Sequence, residues 1–190
     1  MAIRLLIGAI LAAIVMFVWG GAFWIVLATQ IDVMRSADSD VYKAMVSHDT
    51  ENGEYFYPMP PPLGAGEDTL KAYKDKRKSG PLMQISYRNE GAPEDAAFYG
   101  LGFLHLLALA IIAGFLLMMA VKALPTYLSR VGFVLMLGIF ASAAIDVEKV
   151  VWMLHPWKFQ TMLAIYHVSS WVLAGLILGA FIRPPREAKA

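Results

Sequence analysis

The stretch LSRVGFVLMLGIFASAAIDVEKVVWML, residues 128–154, decides the fold, because the topology turns on whether it crosses a bilayer. Its uncharged part, 131–145, has 15 residues, and at ~1.5 Å per residue that is about 22 Å of helix, short of a ~30 Å hydrocarbon core. Asp146, Glu148 and Lys149 then interrupt the run, and Val150, Val151, Trp152, Met153 and Leu154 resume it. A helix over 128–154 reaches across only by carrying an ionised turn near one interface, where charge is least costly.

The rest of the chain leaves less room for argument. Residues 5–31, 96–121 and 159–182 run uncharged for 27, 26 and 24 positions, each longer than the roughly 20 needed for a span. Of the 190 residues, 58% are apolar and 16% charged, against about 25% charged in a soluble domain; the mean hydropathy is +0.57. Charge is also segregated, with 12 of the 15 acids in 32–95. The expected fold is membrane all-α: a four-transmembrane-helix bundle with a small α+β extracytoplasmic module inserted between helices 1 and 2. Its parts are helix 1 (5–30), the module (31–95), helices 2 (96–121), 3 (128–154) and 4 (158–182), and a tail (183–190).

A net charge of +1 with no long basic run argues against nucleic-acid binding, and the lack of cysteine removes disulfides and thiolate sites. Orientation follows from the short flanks. Arg4, Lys122, Arg130, Arg183, Arg186 and Lys189 gather on one side, opposed only by Glu187, so that side and both termini are expected in the cytoplasm. The segment 32–95, with eight bases and twelve acids, is then outside. Gly20, Gly21 and Ala22 could mark a signal-peptide cleavage site, but the apolar run continues to Leu27, which favours a retained anchor.

Sixty-odd residues outside imply structure of their own. Ser39 or Asp40 can cap a short helix to Val46, Asn52-Gly53 reads as a turn, and residues 54–57 form an aromatic strand that ends at Pro58. Glu67 and Asp68 open, and Lys74, Lys76, Arg77 and Lys78 close, a helix that stops at Gly80-Pro81. Alternation from Met83 to Arg88 predicts a second strand paired with the first. Such a pair is too small to stand alone, so it is expected against the membrane helices or a partner. Tyr55, Phe56, Tyr57, Tyr73 and Tyr87 are expected as its mini-core, and the basic cluster as a solvated helix end.

Two sets of residues carry candidate chemistry. His105 and His167 lie at similar depths, about 9 and 12 Å from the outer ends of their helices, the minimum geometry for haem b held by two histidines; a quinone or metal would use the same pair. The plainer expectation is that each histidine hydrogen-bonds to a neighbour, with no cofactor. Asp146, Glu148 and Lys149 form the second set, an interfacial ion-pair cluster in which Asp146 and Lys149, three apart, can share a helix face. Glu148 can meet His105, His167 or the module. The inner halves of the helices are apolar, so no ion path continues from it. Trp24, Trp152, Trp157 and His155 read as interfacial anchors, and Trp19 and Trp171 as packed between helices. Gly8/Ala12, Ala110/Gly114, Gly138/Ser142 and Gly175/Gly179 allow close helix approach, in a tight bundle or an oligomer.

FVWGGAFW (17–24), GEYFYP (53–58), GPL (80–82) and WVLAG (171–175) resemble a family of uncharacterised bacterial four-span inner-membrane proteins. That resemblance implies the same topology over nearly the whole chain and brings no activity with it. The order of one helix, a large outer loop and three helices is also similar to claudin-type bundles, without the cysteine pair of their loop. The expected function is that of a non-enzymatic accessory or structural subunit in the lipid bilayer, contacting other membrane-protein subunits or a second copy. The alternatives are an electron-transfer or quinone-handling protein using His105 and His167, and a small transporter.

Overall fold

The computed structural model describes residues 2–27, 40, 43 and 50–184. Contacts divide the chain into a unit of 1–35 with 94–190 and a unit of 36–93. In the first, α1 (Ala2–Ala22) ends in a π-turn over Phe23–Leu27, and α3 (Ala96–Ala120) runs into a 3-10 turn (Val121–Ala123). Next, α4 (Tyr127–Ser142) continues through a π-turn (Ala143–Val147) into α5 (Glu148–Val151), and α6 (Trp157–Phe181) closes the unit. Among the described residues, four helical stretches are long and apolar enough to cross a membrane: Ala2–Val26, Ala96–Ala123, Tyr127–Val151 and Trp157–Phe181. The charged turn therefore does not break the third helix; it is accommodated by the wider π geometry.

Local chemistry sets where these helices begin. Asp95 accepts the Phe98 N–H at 2.9 Å to cap α3, and Thr126 accepts the Ser129 N–H at 3.1 Å to cap α4, each satisfying a donor that has no partner inside its helix. Pro156 precedes α6, and the turn before it passes through Leu154 at a φ of 58°.

Packing runs in the order α3, α1, α6, α4, with α1 and α6 in the middle. The core mixes small and large side chains: Ala9 and Ala12 of α1, Ala110 and Ala113 of α3, and Ala174 of α6 alternate with Met16, Leu117, Val121, Val134, Leu178 and Ile182. All eight residues of the four expected small-residue pairs are buried. Close approach requires this: a Cβ on Gly175 would lie 3.2 Å from the Val131 carbonyl oxygen, and one on Gly138 would overlap the Cβ of Trp171. Dispersion between closely spaced backbones, together with these larger side chains, holds the helices together.

At the other end of the unit from the π-turns, Arg130 is buried. Its Nε donates to the Gly179 carbonyl at 2.9 Å, and Nη1 to those of Leu124 and Pro125 at 3.2 and 2.9 Å. The guanidinium thus joins the α3–α4 connection to the last turn of α6, where carbonyls lack intrahelical partners and the helix dipole favours a cation. Arg130→Lys keeps the charge but cannot span three acceptors. It should cost about 2 kcal/mol, read as a fall of several degrees in the thermal midpoint of detergent-purified protein.

In the second unit, β1 (Gly53–Tyr57) pairs antiparallel with β2 (Met83–Tyr87), in a register that sets Tyr55 opposite Ile85. Between them lies α2 (Glu67–Ser79), acidic in its first turn and basic in its last, ended by Gly80 at a φ of 67°. Where Asn52-Gly53 was expected as a turn, the chain bends at Asn52 and Gly53 begins β1. The Asn52 side chain closes the base of the ribbon, accepting from the Asn89 N–H at 2.6 Å and donating to Glu90 Oε2 at 2.7 Å. The Asn52 bond holds the Glu90 carboxyl below its usual range. A lowered pKa stabilises the fold above the ordinary carboxylate value, and that contribution is lost as pH falls through the lowered value. The protection of amides near Asn89, taken relative to their intrinsic exchange rates, should therefore fall on acidification, and Asn52→Ala should remove most of that dependence.

No described residue of this unit is buried. The expected aromatic mini-core is therefore not formed among the described residues: Tyr55, Phe56 and Tyr57 are exposed, and Tyr73 and Tyr87 are half-buried. A five-residue ribbon beside one polar helix offers no second apolar layer to cover them. Of the helix expected from Ser39 or Asp40 to Val46, Asp40 and Lys43 are described, helical and 3.9 Å apart as an ion pair; the rest lies outside the described residues.

Candidate functional site

The polar residues of the bundle converge where the π-turn of the third helix meets α6. Asp146 sits in that turn, 1% exposed. Its Oδ2 accepts from Ser142 Oγ at 2.7 Å and lies 2.8 Å from His167 Nδ1 on α6. Its Oδ1 is buried and meets no donor of the protein. A π-turn inserts an extra residue and turns the side chains after it. That change of phase accompanies an arrangement other than the expected pairing at three-residue spacing: Asp146 faces inward, whereas Glu148 is exposed and Lys149 half-buried. Among the described residues, no ion pair joins Asp146 to Lys149, and the partner of the carboxylate is His167, twenty-one residues away.

A second buried polar group stands beside it. Gln160 of α6 is 3% exposed; its Nε2 lies 3.1 Å from His155 Nδ1, and its Oε1 has no partner. Asp146 and Gln160 both line a cavity of about 90 Å³, whose other walls include Val150, Trp157, Thr161 and Ala164. A buried carbonyl or carboxylate oxygen without a donor costs on the order of 1–3 kcal/mol. Two such atoms, on two residues that line one small cavity, therefore mark the most chemically unsatisfied place in the described structure.

The face of α6 next to His167 is aromatic. Tyr166 packs against Phe23 and Trp24 of the first π-turn, with ring centroids 5.1 and 5.6 Å apart, and against His167 at 5.3 Å. Trp24, expected as an interfacial anchor, is held edge-on in this aromatic cluster. Trp19 donates to Ser169 Oγ at 2.9 Å, a helix-to-helix bond, and Trp171 packs on Gly138; both lie between helices as expected.

The two histidines have different surroundings. His167 is engaged through Nδ1, which leaves Nε2 as the nitrogen able to ligate or donate. His105 is exposed on α3. Among the described residues, no group of three or more His, Cys, Asp or Glu side chains could hold a metal ion. The sequence reading missed Gln160, Ser142 as a donor, and the Asp146–His167 pair. The one available signal was that a carboxylate carried into an apolar helix must find a donor somewhere.

Comparison with protein-family models, with curated proteins and with solved structures found no match to this chain.

Proposed function

We propose that the chain is a multi-pass protein of a bacterial inner membrane, with both termini cytoplasmic, and a non-enzymatic accessory or structural subunit that contacts a partner through its outside module. The observation that carries this reading is the module's surface. None of its described side chains is buried, yet Phe56, Tyr57, Met59, Leu63 and Met83 are 41–106% exposed. A two-stranded ribbon of that kind gains little from folding alone and more from being covered. The partner is another membrane-protein subunit or a second copy of this chain. Exposed Trp152 and Trp157, flanking the turn between α5 and α6, suit the headgroup level at that end of the bundle.

A photo-crosslinking residue at Phe56 or Leu63, activated in native membranes, should give one adduct of defined mass that weakens with Tyr57→Asp. A monomer with no adduct at either position would remove the basis of the proposal.

A second reading is favoured by one observation: Asp146 fixes His167 through Nδ1, the arrangement that orients a histidine to ligate through Nε2. With His105 it would hold haem b, or a quinone between the helices. A Soret band in the purified protein, lost in both His105→Ala and His167→Ala, would establish haem ligation in place of the accessory role. A featureless visible spectrum would weaken it.

A further inference from the structure

We propose that the cavity between the third helical stretch and α6 is a binding site for a small monovalent cation, an alkali ion or an ammonium group, held by Asp146 Oδ1 and Gln160 Oε1. Three observations support it independently of the partner reading. First, the two oxygens belong to side chains 1% and 3% exposed, both lining one cavity, and neither meets a donor of the protein. Second, both Asp146 donors, Ser142 and His167, are spent on Oδ2. With the imidazole neutral and its proton on Nδ1, the pair keeps one negative charge, and the remaining lone pairs are on Oδ1. Third, the size and the ligand set agree. About 90 Å³ takes an ion with one or two waters at ~30 Å³ each. Thr161 brings the only other side-chain oxygen of the lining, and Trp157 an aromatic wall that tolerates a cation.

Charge also selects against other ligands. A divalent ion wants six or more oxygens or several carboxylates, and this lining holds one carboxylate. An anion or a pure acceptor would face two acceptor oxygens. What remains is a donor or a single positive charge.

Thermal unfolding of the full chain in detergent tests the site, comparing lithium, sodium, potassium, ammonium and methylammonium chlorides with N-methylglucamine chloride at equal ionic strength and pH. At least one small cation should raise the midpoint saturably, by about 3 °C at ten times its dissociation constant. The order of potency tells an alkali ion from an ammonium group. Asp146→Asn should abolish the rise. Gln160→Met should weaken the apparent affinity about tenfold, the loss of one ligand to a charge, and it carries the test should the Asp146 variant not fold. Midpoints that follow ionic strength alone, or respond equally to every cation in wild type and Gln160→Met, overturn the proposal. So does a midpoint that responds to pH and to no cation, since the proton would then be the sole occupant.

Discussion

Gly138→Ala should cost at least about 3 kcal/mol, lowering the thermal midpoint by about 6 °C or more. The added methyl would overlap the Cβ of Trp171, an atom fixed to the backbone of α6 that no rotamer change can move away. Relief requires α4 and α6 to separate, and that contact is the most extensive in the bundle. Gly132, six residues earlier on α4, supplies the control, because a Cβ there meets nothing within 4 Å. Gly132→Ala should be neutral or stabilising by up to about 1 kcal/mol, through helix propensity alone. Size-exclusion profiles and melting curves of the two variants should therefore move in opposite directions, or one should not move at all. Equal losses in both would mean that α4 and α6 do not pack through Gly138.

His167→Leu should be the most damaging change in the polar cluster, at about 2–3 kcal/mol. It leaves a buried carboxylate with Ser142 as its one donor. Removing both members of a buried pair costs less than removing one, because no uncompensated charge remains. Asp146→Leu/His167→Leu should recover a large part of the loss, with Ser142 free to bond back to its own helix. The coupling in a double-mutant cycle should exceed about 1 kcal/mol. Lys149→Gln, in contrast, should stay within about 0.5 kcal/mol. Additivity of the two leucine substitutions, or a large effect at Lys149, would point back to the ion pair between Asp146 and Lys149.

How much of this could be read in the sequence depends on how local each feature is. The four long helices follow from uncharged runs, since length and apolarity need no partner to be recognised. The two strands and the intervening polar helix follow from alternation, from charge order along residues 67–78, and from the Gly80-Pro81 stop. The π-turn at Ala143–Val147 leaves no such mark, yet it goes with an Asp146 that faces inward beside His167. The role of Arg130 was equally hidden: its charge marks an orientation, but its bond to Gly179 joins residues forty-nine apart. The aromatic residues of the module were misread because apolar side chains in a strand announce that they will be covered, and not by what.

The arrangement has a physical logic that links its parts. Small residues draw the helices together at the core, and the carboxylate of Asp146, buried in the third helix, has only a small cavity beside it in place of bulk water. It takes donors from the same helix and from α6, and one of its oxygens is left without a donor of the protein. The cluster and the aromatic contacts of Tyr166 lie at the end of the bundle where both π-turns fall, and Arg130 secures the other. Each end thus has its own polar device within an apolar unit.

The chain contains no cysteine, so single cysteines report topology without a background. The most direct measurement labels Ser79→Cys in α2, Lys122→Cys after α3 and Lys189→Cys in the tail with a membrane-impermeant maleimide, in intact and permeabilised spheroplasts. A four-span protein with both termini inside predicts that Ser79→Cys reacts in intact cells and that the other two react only after permeabilisation. Labelling of Ser79→Cys and Lys122→Cys from the same side would contradict the account at its centre.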